Sequence, residues 1–167
     1  MSCASVTLSG LVQDCESSMG GIKKVWIATV NPKPTLSDGA INGFGQTTDW
    51  YEYNFKKNTG SFTSTLNVDV ANGINYVSTE LILQFNKMNT TKRTEMTGLA
   101  VNDMWVIVLD SNNTYWYLGY DEPVTANAGT SQTGTAKTDG NFYQITLSDE
   151  ADTFPYEVMK DALPFEI

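Results

Sequence analysis

SFTSTLNVDVANGINYVSTELILQFNKM, residues 61–88, decides the fold, because its two flanks alternate apolar and polar residues around one turn-like break at Ala71-Asn72-Gly73. On the first flank Phe62, Leu66, Val68 and Val70 share a face, and Thr63, Thr65, Asn67 and Asp69 share the other. Successive side chains of a strand point to opposite faces, so a period of two predicts a strand with one face for a core and one for water. On the second flank Val77, Thr79, Leu81, Leu83 and Phe85 point one way, and Ser78, Glu80 and Gln84 the other, with Ile82 as the exception. The pair reads as a long β-hairpin whose polar face suits a binding surface or a channel wall.

Working outward, Ile22 to Val30 reads as a strand, ended by Asn31-Pro32-Lys33-Pro34 because proline cannot continue a ladder. Residues 1–21 lack periodicity and read as an N-terminal arm or loop. Residues 35–48 read as a loop with turn residues at Asp38-Gly39 and Asn42-Gly43, and Trp50 to Phe55 as a short aromatic strand. Asn89-Thr90-Thr91 offers capping oxygens, and Met96, Leu99 and Ala100 follow at helical spacing, so one α-helix is expected over Thr90 to Ala100, docked through those three side chains. Its threonines give it poor intrinsic propensity, so tertiary docking must hold it. Met104 to Leu109 and Tyr115 to Leu118 read as a second hairpin buried on both faces. Residues 126–141 are a weakly patterned excursion, Phe142 to Leu147 a final strand, and residues 154–167 an extended C-terminal tail. The expectation is one mostly β domain over residues 1–167, an antiparallel barrel or sandwich with a long hairpin and one flanking helix. No repeat argues for a propeller or solenoid.

Composition narrows the function. Charged residues make up only 17% of the 167 residues, against roughly 25% in an ordinary soluble domain; Thr, Ser, Asn and Gly fill the difference and suit packed protein neighbours. Ten Lys and Arg against 19 Asp and Glu give a net charge of −9, which opposes a grip on a phosphate backbone. No apolar run approaches the ~20 residues of a membrane helix, and the start of the chain lacks the basic and apolar regions of a signal peptide. A cytoplasmic site of synthesis follows as the expectation, with Cys3 and Cys15 as thiols and the sequons at Asn89 and Asn112 unused.

Chemistry finds little footing. There is no histidine, which removes the commonest general base, the Ser-His and Cys-His nucleophile pairs and the usual zinc and iron ligands. The carboxylate clusters Asp149-Glu150 with Asp152, and Asp121-Glu122, sit in polar stretches that read as solvated loops. Asp110-Ser111-Asn112-Asn113 lacks the turn glycine and distal Glu of a calcium loop and reads as a hairpin turn. The glycines at 39, 43 and 45 fit no phosphate-binding spacing, and Cys15 has no base to activate it. Trp50, Tyr51, Tyr53, Trp105, Tyr115, Trp116 and Tyr117 could stack on a sugar, but inside strands they read as core and interface. Neither an enzyme nor a cofactor is expected.

One resemblance does emerge. Asp14-Cys15 through Gly20-Gly21-Ile22-Lys23, Lys57-Asn58-Thr59-Gly60-Ser61 with Asn72-Gly73-Ile74-Asn75-Tyr76-Val77, Lys92-Arg93-Thr94-Glu95-Met96, Tyr115-Trp116-Tyr117-Leu118-Gly119 and Thr133-Gly134-Thr135-Ala136 occur in this order, over residues 14–158. They resemble segments of bacteriophage virion structural proteins, and the order of elements is similar to the tail-tube (major tail protein) family. The resemblance implies a virion tail protein, assembled in the host bacterial cytoplasm, whose six subunits close a ring by pairing strands around a lumen. Thr63, Thr65, Asn67, Asp69, Ser78, Glu80 and Gln84 would then line the lumen. Partners would be further copies of the chain and other tail or neck proteins, with DNA only in transit and no membrane. A capsid-decorating or neck protein, or a carbohydrate-binding β-domain of a fibre, are the alternatives.

Overall fold

The computed structural model describes residues 7–166. Its elements are β1 (Ile22–Ala28), β2 (Pro34–Ser37), β3 (Ala40–Phe44), β4 (Tyr51–Tyr53), β5 (Ser61–Asp69), β6 (Ile74–Asn86), α1 (Thr90–Val101), β7 (Trp105–Asp110), β8 (Tyr115–Leu118), β9 (Thr125–Gln132), β10 (Phe142–Ala151) and β11 (Tyr156–Val158), followed by a 3-10 turn at Lys160–Ala162. They form a seven-stranded sheet in the order β2-β3-β11-β8-β7-β1-β4 and a four-stranded sheet in the order β5-β6-β10-β9. The arrangement is sandwich-like, and the two sheets do not join into a closed barrel among the described residues.

Strand alternation builds two apolar layers on the larger sheet. Val25 and Ile27 of β1, Val106 and Val108 of β7 and Leu118 of β8 face the smaller sheet, where they meet Leu81, Leu83, Ile145 and Leu147. The intervening Trp26, Ile107, Leu109 and Tyr117 face away, into a second cluster with Ile41 and Val158. Both faces of β7 are therefore buried, which is why its sequence is a continuous apolar run. The second cluster is roofed by Phe44, Trp50, Leu163 and Phe165, the last stacked on Trp26 at a centroid distance of 4.4 Å.

Three stretches differ from the expectation. The loop expected over residues 35–48 holds the hairpin β2–β3: Asp38 (φ 53°) and Gly39 (φ 81°) both take positive φ, as a tight two-residue turn with the right strand twist requires. Its short strands hold few β-formers, so alternation could not reveal them, yet Ile41 is fully buried. The excursion over residues 126–141 holds all but the first residue of β9, paired antiparallel to β10. The tail is not free: β11 pairs with β8, and in parallel with β3, the one parallel pair among the described ladders, while Met159 N–H donates to Ile41 O at 2.9 Å.

The helix begins where expected. Asn89 caps it, its Oδ1 accepting from Lys92 N–H at 2.8 Å. Leu99 is 4% exposed in the core and Met96 packs half-buried against it, but Ala100 is exposed, one position round the helix from the docked stripe. Leu99→Ala should therefore destabilise the protein by about 2–5 kcal/mol, while Arg93→Ala, on the exposed side, should stay within about 0.5 kcal/mol. Chemical denaturation of the two variants checks this, and equal midpoints would mean the helix does not dock through Leu99.

Candidate functional site: the outer face of the four-stranded sheet

Pairing register brings the predicted polar residues together. Thr63 lies opposite Glu80, Thr65 opposite Ser78, and Asn67 and Asp69 follow on the same face of β5. Across β6 the row continues into β10, with Glu80 opposite Ser148, Ser78 opposite Glu150 and Gln84 opposite Gln144. It ends on β9, where Thr125, Ala128, Thr130 and Gln132 meet Ser148, Thr146, Gln144 and Phe142. All seven predicted positions are exposed or half-exposed, and the face carries Asp69, Glu80 and Glu150 but neither Lys nor Arg. Ile74, Tyr76 and Ile82 are its apolar interruptions on β6. The contribution of β9 escaped the sequence, because Thr125–Gln132 shows no alternation of hydrophobicity.

Local bonds order this face. Asn67 Nδ2 donates to Ser78 Oγ at 3.1 Å and to Thr65 O at 3.3 Å, tying the two strands together. Asp69 closes the hairpin turn, accepting from Asn72 Nδ2 at 2.7 Å and Asn72 N–H at 3.2 Å. Those donors hold its carboxyl below the usual carboxylate range, so it keeps its charge.

The other face of the hairpin departs from expectation. Phe62 packs against the core, but Leu66, Val68 and Val70 are 46%, 60% and 89% exposed. The reason is length: β10 ends at Ala151 opposite Val77, so the hairpin beyond that level is a two-stranded ribbon with no third strand beside it. Its apolar side overhangs the core.

The helix is fastened by its neighbours. Tyr53 Oη donates to Glu95 Oε2 at 2.8 Å, and burial followed by that carboxylate pushes the phenol's pKa up. Lys92 Nζ donates to the carbonyls of Asn86 and Lys87. Between α1 and the smaller sheet lies an open groove of about 360 Å³, lined by Met96, Ala100, Ala126, Tyr143 and Ile145 among others.

The remaining chemical candidates scatter. Asp110 Oδ1 accepts from the N–H groups of Asn112 (2.8 Å) and Thr114 (2.9 Å), and Oδ2 from Trp116 Nε1 at 2.9 Å, which makes 110–113 a hairpin turn. Asp121 Oδ2 accepts from Asp152 N–H at 2.8 Å. Asp149 and Glu150 do not cooperate, since β10 sends them to opposite faces. The aromatics at Trp50, Tyr115 and Tyr117 fill the second cluster and leave no stacking platform there. Cys15 is exposed in the arm, and Cys3 lies outside the described residues. No cluster of metal-binding side chains occurs among the described residues.

Asp149 is the one carboxylate that sequence reading misplaced on physical grounds. It is 5% exposed on the inner face of β10, opposite Thr79. Burial, opposed by a Gly119 N–H and reinforced by Asp121, Glu122 and Glu150, pushes its pKa up to about 6. Neither its Oδ1 nor the nearby Tyr117 Oη has a hydrogen-bond partner among the described residues.

No protein-family model and no curated protein matches this chain. Among solved structures, a chain of the cryo-EM structure of the anti-feeding prophage baseplate, 6-fold symmetrised, aligns with a TM-score of 0.44 at 12% identity, over 83% of this chain and 99% of that one. A match at that score transfers neither fold nor role.

The placement of Asp149 sets a pH dependence. Its folded pKa, about 6, lies above the ordinary 3.8, so between those values the folded state holds a proton that the unfolded chain has released. Stability then falls as pH rises through that window and is level above it. Asp149→Asn, which keeps an acceptor for Gly119 but cannot ionise, should be the more stable form at pH 7–8 by roughly 3 kcal/mol and should close the gap towards pH 4. Denaturant melts at stepped pH measure the difference, and a gap that ignores pH would place the carboxylate in solvent.

Proposed function

We propose that the chain is a structural subunit of a bacteriophage-type virion, a tail-tube protein that closes into stacked rings around a channel for DNA. The carrying observation is that the four-stranded sheet ends in β5 on one side and β9 on the other, both long and neither paired beyond the sheet among the described residues. Free edges of this kind are templates for another strand. Because the two edges differ, pairing β5 of one copy with β9 of the next is heterologous, and it propagates until a ring closes. The resemblance of the sequence to tail-tube proteins supplies six as the ring size.

Ring closure turns the outer sheet face into a wall. A face with Asp69, Glu80 and Glu150 and no cation repels a polyanion, which therefore passes without being held. The overhanging Leu66, Val68 and Val70 would be covered by neighbouring copies, burying apolar surface that a monomer exposes. The role is structural rather than catalytic, uses no cofactor, and is exercised in the virion tail after assembly in the host bacterial cytoplasm. Other tail or neck proteins would cap the tube. No described helix is long and apolar enough to cross a membrane.

Purified protein should give ring-shaped particles by negative-stain microscopy and a multimeric mass in solution, with interfaces of the order of 2,000 Å² or more. A monomer at every concentration would defeat the reading, and monomers or trimers bound at capsid sites would favour the decorating alternative. Because Asp69 holds the hairpin turn, the wall is tested at two exposed positions that do not: Thr65→Lys with Glu80→Lys should leave ring formation intact. Rings of that variant should retain DNA at low salt and release it at high salt, as lysine–phosphate contacts do. Equal DNA retention by parent and variant would put this face elsewhere than the channel.

A further inference from the structure

Charge is sorted along the strands, although the sequence shows no charge blocks. The two sheets meet at one end, where Met104 bridges to Val124 and Asp152 N–H reaches Asp121. That end carries Asp103, Asp121, Glu122, Glu150 and Asp152, all exposed. Asp103, Glu122 and Glu150 converge on one open cavity of about 620 Å³.

The opposite ends of both sheets are basic. In the larger sheet, Ile22 of β1 sits beside Asp110, and Lys23 of β1 and Lys57 of the loop after β4 line a cavity of about 420 Å³, with Lys56 adjoining. In the smaller sheet, β6 ends at Asn86 and β10 begins at Phe142, next to Lys87 and to the β9–β10 loop, which bears Lys137 and also Asp139, whose Oδ2 accepts from the N–H groups of Thr135 and Ala136 within the loop. Seven residues of β1 separate the two ends by roughly 20 Å, beyond the Debye length of about 8 Å at physiological salt, so neither group compensates the other within one chain. The one ion pair among the described residues, Lys24 with Glu52 at 3.0 Å, involves none of them.

From this we infer that copies associate end to end, the acidic end of one docking on the basic end of the next. The partner is a second copy of this chain because its own far end supplies the missing charge and a head-to-tail contact repeats without limit. Apolar surface is placed to match. The hairpin overhang with Val68 and Val70 projects at the acidic end, and the arm with exposed Leu8, Leu11 and Val12 leaves from the basic end, pinned by Met19 N–H to Asn112 Oδ1 at 2.8 Å. The inference rests on the ring reading for its geometry, since it supplies the stacking contact of such rings, but the charge pairing also operates between single copies.

Two variants test it. Asp103→Lys with Glu122→Lys reverses the charge at the acidic cavity, where only Glu150 keeps its sign, and Lys56→Glu with Lys57→Glu reverses it at the basic cavity, where only Lys23 does; all four side chains are exposed and make no side-chain hydrogen bond or ion pair among the described residues. Thermal melts establish that each folds. Each variant alone should form rings but lose stacking, and an equimolar mixture should regain stacks in which the two variants alternate. Parent stacks should shorten between about 0.1 M and 1 M salt, where the Debye length falls from about 10 Å to 3 Å. Stacks formed by either variant alone, or none regained on mixing, overturn the inference while leaving rings untouched. Pairing of the mixed variants by sedimentation, in the absence of rings from any sample, overturns the ring reading and upholds this one.

Discussion

The register of β6 between β5 and β10 governs the rest of the molecule. With Leu81 opposite both Phe62 and Leu147, every odd position of β6 from Val77 to Phe85 enters the core and every even one faces out. A slip of one residue would bury Ser78, Glu80 and Gln84 and expose Leu81 and Leu83. Burying Glu80 unpaired would cost several kcal/mol, so the pleat fixes the sheet's two surfaces together: an apolar one that must be covered and an acidic, hydroxyl- and amide-rich one that must stay wet.

The same sheet is unfinished as a monomer. Among the described residues its edges lack strand partners, its hairpin runs past its third strand, and its apolar tip is exposed. The larger sheet is the contrary case, with both faces of β1, β7 and β8 covered, the outer one by a C-terminal segment that stacks Phe165 on Trp26. On the proposed reading, stability and assembly are thereby divided between the sheets. One is a complete core, and the other offers edges whose backbone groups a neighbouring copy can satisfy.

Electrostatics follows a similar division. Most carboxylates stay at the surface, where solvent tolerates a net charge of −9. Asp149 is the exception, placed inside by the strand alternation that also buries Leu147 and Ile145. Its neighbours Asp121, Glu122 and Glu150 are themselves acidic, so ionisation there is opposed by burial and by like charge together.

The sequence by itself determined the elements with strong local signals: the long hairpin and its polar face, the helix with its Asn89 cap, the doubly buried β7, and the turn at Asp110-Ser111-Asn112-Asn113. Each is written in a period of two, a capping residue or a turn residue, and these act within a few positions of the chain. Tertiary structure alone decided the rest. β9 is a strand because β10 offers it a ladder, not because Thr125–Gln132 favours one; β11 and the final turn are ordered by the apolar face of the larger sheet; Ala100 stays out because the docked stripe of α1 is narrow. The polar face was legible on β5 and β6, but its completion by β10 and β9, and the gathering of acids at one end and lysines at the other, depend on strand order. Strand order is set by non-local pairing, which joins residues such as Asp103 and Glu150 that are far apart in the chain.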